Sequence, residues 1–119
     1  MPWRIAYEEQ PKIVALDFEG DVVHADVRDS NAAVRAMASE KGARNILTGF
    51  TSATRLAISS IDVFKQATAL EMAFREAVVC PKASAFRSTI DFYETVCLNR
   101  GKSVRVFEQR PEAQRWLVS

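Results

Sequence analysis

Apolar and polar residues alternate from Trp3 to Glu9, with Trp3, Ile5 and Tyr7 on one side and Arg4, Ala6 and Glu8 on the other. This is the period of a half-buried strand. Gln10-Pro11 interrupts it, and Lys12 to Glu19 alternates again up to Gly20, so the two runs predict a β-hairpin. From His24 to Lys41 the period lengthens: Val27, Asn31, Val34 and Ala38 fall on one helical stripe, and Gly42 follows as a stop. Arg44 to Phe50 holds the short apolar run Asn45-Ile46-Leu47 and predicts a buried strand. Val63, Ala67, Leu70 and Phe74 return to helical spacing, and Ser59 or Ser60 offers a hydroxyl to the first turn. Asp62, three residues after Ser59, makes a capping box with a short acid.

Ala77-Val78-Val79-Cys80, ended by Pro81, predicts a central strand. Ser84 is the expected cap of a third helix striped by Phe86, Ile90, Tyr93 and Cys97 and closed by Arg100-Gly101. Val104 to Phe107 predicts the last strand, and Pro111 leads into a terminal helix over Glu112 to Leu117. The order β-β-α-β-α-β-α-β-α places later strands one helix apart. That spacing requires parallel pairing with right-handed crossovers after an antiparallel hairpin. The expected architecture is an α/β domain with a mixed sheet of about five strands and about four helices.

Composition sharpens this. A length of 119 residues suits one core, so residues 1–119 are read as one domain, and 48% hydrophobic with 26% charged residues is a globular profile. Sixteen basic against fifteen acidic side chains leave a net charge of +1, so neither nucleic acid nor an anionic membrane is expected as a partner. No apolar stretch exceeds four residues, far short of the roughly 20 that span a bilayer. With no secretory signal pattern at the start, a cytoplasmic location is expected. Cys80 and Cys97 are too far apart for a redox or zinc pair and read as buried free thiols.

The order of elements and particular residues resemble the STAS family, and especially its stand-alone SpoIIAA-like bacterial members. The resemblance rests on Ile46 to Phe64, on Ala77 to Pro81, and on Val104-Arg105-Val106-Phe107 through Trp116-Leu117. It implies a SpoIIAA-like fold and a regulatory role through a partner protein. In anti-sigma-factor antagonists of that family the corresponding helix begins Asp-Ser-Ser-Gly-Leu, and the second Ser is phosphorylated by a partner kinase. Ile58-Ser59-Ser60-Ile61-Asp62 stands in that place, so the resemblance assigns the regulated hydroxyl to Ser60, with Ser59 beside it.

The residues themselves supply two further candidates. Thr48, Thr51, Ser52, Thr54 and Arg55, with Ser59 and Ser60, form a hydroxyl-rich stretch read as a loop, either an anion or ligand site or ordinary turn and cap chemistry. Trp3, Phe18, Phe86, Tyr93, Phe107 and Trp116 either pack the core or line an apolar cavity. A lipophilic or small-molecule carrier, with its pocket between the sheet and the helices holding Phe74, Phe86 and Tyr93, is therefore the alternative to a regulatory domain. Tyr7, Phe18 and the hairpin offer a surface to a second copy, as a homodimer. His24 is the only histidine, and it reads as a cap or surface residue. Asp17 and Glu19 read as solvent-facing, and Cys80 beside Lys82 as a weak nucleophile candidate. No complete catalytic constellation is legible, and neither a cofactor nor a metal is expected.

Overall fold

The computed structural model describes residues 2–119. Five strands, β1 (Trp3–Glu8), β2 (Ile13–Val23), β3 (Asn45–Ala57), β4 (Arg75–Val79) and β5 (Ser103–Phe107), form one sheet in the order β1-β2-β3-β4-β5. The helices are α1 (His24–Lys41), α2 (Ser60–Ala69), α3 (Arg87–Asn99) and α4 (Arg110–Leu117). β1 and β2 pair antiparallel, from Trp3 opposite Phe18 to Glu8 opposite Ile13, and every later pair is parallel. The mixed sheet and the element order agree with the expectation from the sequence.

Because the strands advance across the sheet without reversing, right-handed crossovers place α1, α2 and α3 on the same face. Their buried residues, among them Val34, Ala38, Ala67, Ile90 and Cys97, join Val14, Leu16, Phe18, Ile46, Phe50 and Val78 in the main core. α4 follows the last strand and covers the other face, where Ala113 and Leu117 meet Ile13, Leu47, Ala77 and Val79. The alternation along β3 and β4 is therefore a division of labour. Ile46 and Val78 face three helices, and Leu47 and Ala77 face one. A monotonic strand order also lacks the reversal at which open α/β sheets form their usual ligand crevice.

Several boundaries differ from the sequence reading. β2 does not stop at Gly20: that residue takes φ +66 within the strand, beside register shifts between Asp17 and Glu19 and between Gly20 and Asp21. A glycine inside a strand is the usual mark of such a bulge. α2 ends at Ala69, so Phe74 lies in the approach to β4 rather than on the helix. Ser84 does not cap α3: the helix starts at Arg87, whose N–H bonds the Ser84 carbonyl in a preceding turn. α4 begins two residues earlier than expected, with Pro111 inside its first turn. Gly42 and Gly101, at φ +63 and +76, end their helices as the spacing required.

The largest correction concerns Thr48 to Ser60. This segment is not a loop, because β3 runs through Ala57. Beyond Gly49, where its pairing with β4 ends opposite Val79, β3 is held by β2 alone, with Ser52 opposite Glu19 and Arg55 opposite Asp21. The result is a two-stranded arm rising past the rest of the sheet. Its threonines are β-branched and suit a pleated strand as well as they suit a turn.

Candidate functional site

The arm, the middle of the sheet and three helices line a half-open cavity of about 60 Å3. Leu16 and Phe18 of β2, Phe50 and Leu56 of β3, Val63 of α2 and Ile90 of α3 give it apolar walls. A second cavity of about 40 Å3 adjoins it through Asn31, Gln66, Glu76 and Tyr93, and Phe74 lies on its far side. A water needs roughly 10–15 Å3 of such space, so the first cavity has room for several waters or a small organic group.

The polar floor is unusual. Glu76 of β4 is 8% exposed, yet it stands on the core face of the sheet. The Thr48 hydroxyl donates to its Oε2 at 2.7 Å, and the Tyr93 hydroxyl donates to Oε1 at 2.5 Å. No cation pairs with it among the described residues. Burial pushes the Glu76 carboxyl above its ordinary range, while the hydrogen bonds from Tyr93 and Thr48 pull the other way. Burial, and after it the nearby Glu76, pushes the Tyr93 phenol well above its ordinary value. The Asn31 amide bonds the Gln66 side chain at the boundary between the two cavities, tying α1 to α2. The sequence does not single out this buried triad, because Glu76 stands there only as the residue before the apolar run Ala77-Val78-Val79-Cys80. A lone acid immediately before an apolar run was the available signal, without the register that turns it toward the helices.

A second feature lies outside the cavity, at the start of α2. Ser59 is the N-cap, and its hydroxyl accepts the Asp62 N–H at 3.1 Å while the Asp62 carboxylate accepts the Ser59 N–H at 3.4 Å. Ser59 and then His24, whose Nδ1 lies 3.6 Å from Asp62 Oδ2, hold the Asp62 carboxyl below its ordinary range. Ser60 follows at the first helical position and is exposed. On the same helix Ile61 and Phe64 are 69% and 45% exposed, Phe64 with the Arg100 guanidinium 4.5 Å over its ring, and Phe92 of α3 is 40% exposed. Ser60 and Phe92 line the same shallow depression between the two helices.

The remaining candidates disperse. Thr48 turns inward to Glu76, whereas Thr51, Ser52, Thr54 and Arg55 are exposed along the outer arm. Asp17 faces Arg110 of α4 at 3.5 Å, on the opposite face of the sheet from the cavity. Burial raises the Cys80 thiol and pushes Cys97 up to about 11, the reverse of activation. Phe18 stacks on Phe50 at 4.9 Å, and Phe86 packs edge-on against Phe50 at 5.8 Å. Phe107 and Trp116 meet on the α4 face.

No protein-family model matches the chain, and no curated protein matches it in sequence. Solved structures do match in shape. An uncharacterized protein of the DUF3478 family with a SpoIIAA-like fold, from Shewanella loihica PV-4, superposes with a TM-score of 0.61 at 18% identity, over 97% of this chain and 91% of its own. The anti-sigma factor antagonist SpoIIAA in its unphosphorylated form gives 0.64 at 15% identity, over 98% and 96%. The chain therefore has the SpoIIAA-like fold that its sequence resembles.

Proposed function

We propose that this chain is a non-enzymatic regulatory domain that meets a partner protein at the start of α2, with Ser60 as the residue through which the contact is switched. The observation that carries this reading is an exposed serine at the first position of a helix that shares a depression with the exposed Phe92 and is followed on the same helix by the exposed Ile61 and Phe64. Exposed aromatic and branched side chains grouped in this way are what a partner buries. The likeness in fold to an anti-sigma factor antagonist agrees with it. Ser59 is occupied as the cap, so modification there would cost the helix its N-terminal hydrogen bond, whereas Ser60 carries no such duty. A phosphate on Ser60 would sit close to free helix amides but amid apolar side chains. A complex that buries Ile61 and Phe64 would then also have to bury about two negative charges.

The test has two arms. Incubation with lysate of the source cells and ATP, followed by phosphosite mapping, is expected to find Ser60. Affinity capture is expected to retain a protein with the unaltered chain and to lose it with Ile61→Asp/Phe64→Asp and with Ser60→Asp. Equal capture by all three, or no phosphate at Ser60 and no retained protein, overturns the reading.

The cavity over Glu76 favours a second reading, a carrier of a small, mostly apolar molecule with one polar group for the Glu76, Thr48 and Tyr93 floor. Native mass spectrometry of protein purified without denaturant should then reveal a co-purified mass. A bare chain after repeated preparations removes this reading and leaves the first untouched.

A further inference from the structure

β1 has an unused side. It closes the sheet at one end and pairs with β2 alone, so alternate N–H and C=O groups along Trp3–Glu8 point outward without a strand to receive them. Trp3, Ile5 and Tyr7 pack against the main core, and Arg4, Ala6 and Glu8 lie on the opposite face. Arg4 and Glu8 are thus the only charges within the strand, opposite in sign and equally far from Ala6.

A two-fold axis through Ala6 uses this symmetry. An antiparallel β1 from a second copy would set Ala6 against Ala6, Ile5 against Tyr7, and Arg4 against Glu8 twice over. A slip of one residue puts core-facing side chains on the wrong face. A slip of two opposes Ala6 to a charge and pairs no opposite charges. Only one register therefore satisfies both the pleat and the charges.

The two charges are also placed to receive each other. Arg4 is exposed and enters no ion pair among the described residues. Glu8 keeps 32% of its side chain exposed; its Oε2 is buried and forms an ion pair at 3.6 Å with Arg110 of its own chain, which Arg4 of a second copy would join rather than replace. The strand at the opposite end of the sheet, β5, lacks this property, because Arg105 is its middle residue and a two-fold axis there would oppose Arg105 to itself.

We infer that the occupant of the β1 edge is a second copy of this chain, paired antiparallel about Ala6 so that the two sheets continue as one and Arg4 of each copy meets Glu8 of the other. A strand of six residues is a small interface, so association will depend on concentration. This inference is independent of the partner surface at α2.

Sedimentation equilibrium over a dilution series up to millimolar protein tests it. The unaltered chain is expected to move from monomer to dimer. Arg4→Glu sets like charges at both crossings and should weaken the dimer by about tenfold or more, and Glu8→Arg should do the same. Mixing the two variants restores opposite charges at both crossings, so a heterodimer should form at concentrations where each variant alone is monomeric. Glu8→Arg also faces Arg110 within its own chain. Should it fail to fold, Arg4→Glu alone decides, since Arg4 holds no ion pair among the described residues. An unaltered chain that stays monomeric, an Arg4→Glu variant that dimerises equally well, or folded variants that do not associate when mixed would each overturn the inference.

Discussion

At the scale of single residues the chemistry concentrates on Glu76, an acid placed among apolar side chains with two hydroxyls and, among the described residues, no cation for company. Its folded pKa is raised, so its contribution to stability is fully present below the unfolded value near 4.3 and is lost as pH rises through the folded pKa. Glu76→Gln cannot ionise and keeps a group able to meet both hydroxyls. Urea midpoints measured from pH 4 to pH 8 should therefore show the unaltered chain losing ground to this variant as pH rises. Parallel profiles would mean that Glu76 is not held up by burial. Tyr93→Phe strips a donor from a buried acceptor and should cost about 1–3 kcal/mol in the same assay. Cys80 and Cys97 are both buried, with thiols pushed upward, so a disulfide exchange reagent at pH 8 should label neither until denaturant is added. Rapid labelling of the folded protein would contradict that placement. None of the Glu76 chemistry was legible beforehand, because a residue near the start of a strand shows only its type in the sequence, not the face on which it lands.

At the scale of elements, the start of α2 was legible and the arm before it was not. Ser59 with Asp62 three residues later is a local pattern, and the structure realises it as a reciprocal cap. Ser59→Ala should cost about 1 kcal/mol in a thermal melt, and Ser60→Ala should leave stability nearly unchanged. An equal loss in both would mean that the cap is shared. The arm misled because threonine and serine serve turns and strands alike. What settles β3 as a strand through Ala57 is the presence of Asp21 to Val23 at pairing distance, a partner supplied from far along the chain. Gly20 permits that continuation. Its φ of +66 favours glycine, and no atom lies within 4 Å of the position a Cβ would take. Gly20→Ala should accordingly cost about 1–2 kcal/mol from backbone conformation alone, read as a shift in unfolding midpoint.

At the scale of the whole molecule, the sheet is unevenly supported. Its centre, where Ile46 to Thr48 are flanked by β2 and β4, is covered on both faces, whereas the arm beyond Gly49 is paired on one side only. Amide hydrogen exchange should be slowest at Ile46 to Thr48 and faster by orders of magnitude from Ser52 to Ala57. Uniform protection along β3 would contradict this picture. The arm also walls the cavity through Leu56.

Element order, the parallel crossovers and the helix stops at Gly42 and Gly101 follow from the sequence by itself, since periodicity, glycine conformation and chain connectivity are local properties. The capped start of α2 belongs with them. Tertiary structure alone decided that β2 and β3 outrun the sheet and that Thr48 turns inward to Glu76 and Tyr93. It alone brought Phe92 of α3 beside Ser60, and left β1 at an open edge. Each of these depends on which distant residue lies opposite, and a side chain's charge, exposure and partner exist only once that neighbour is in place.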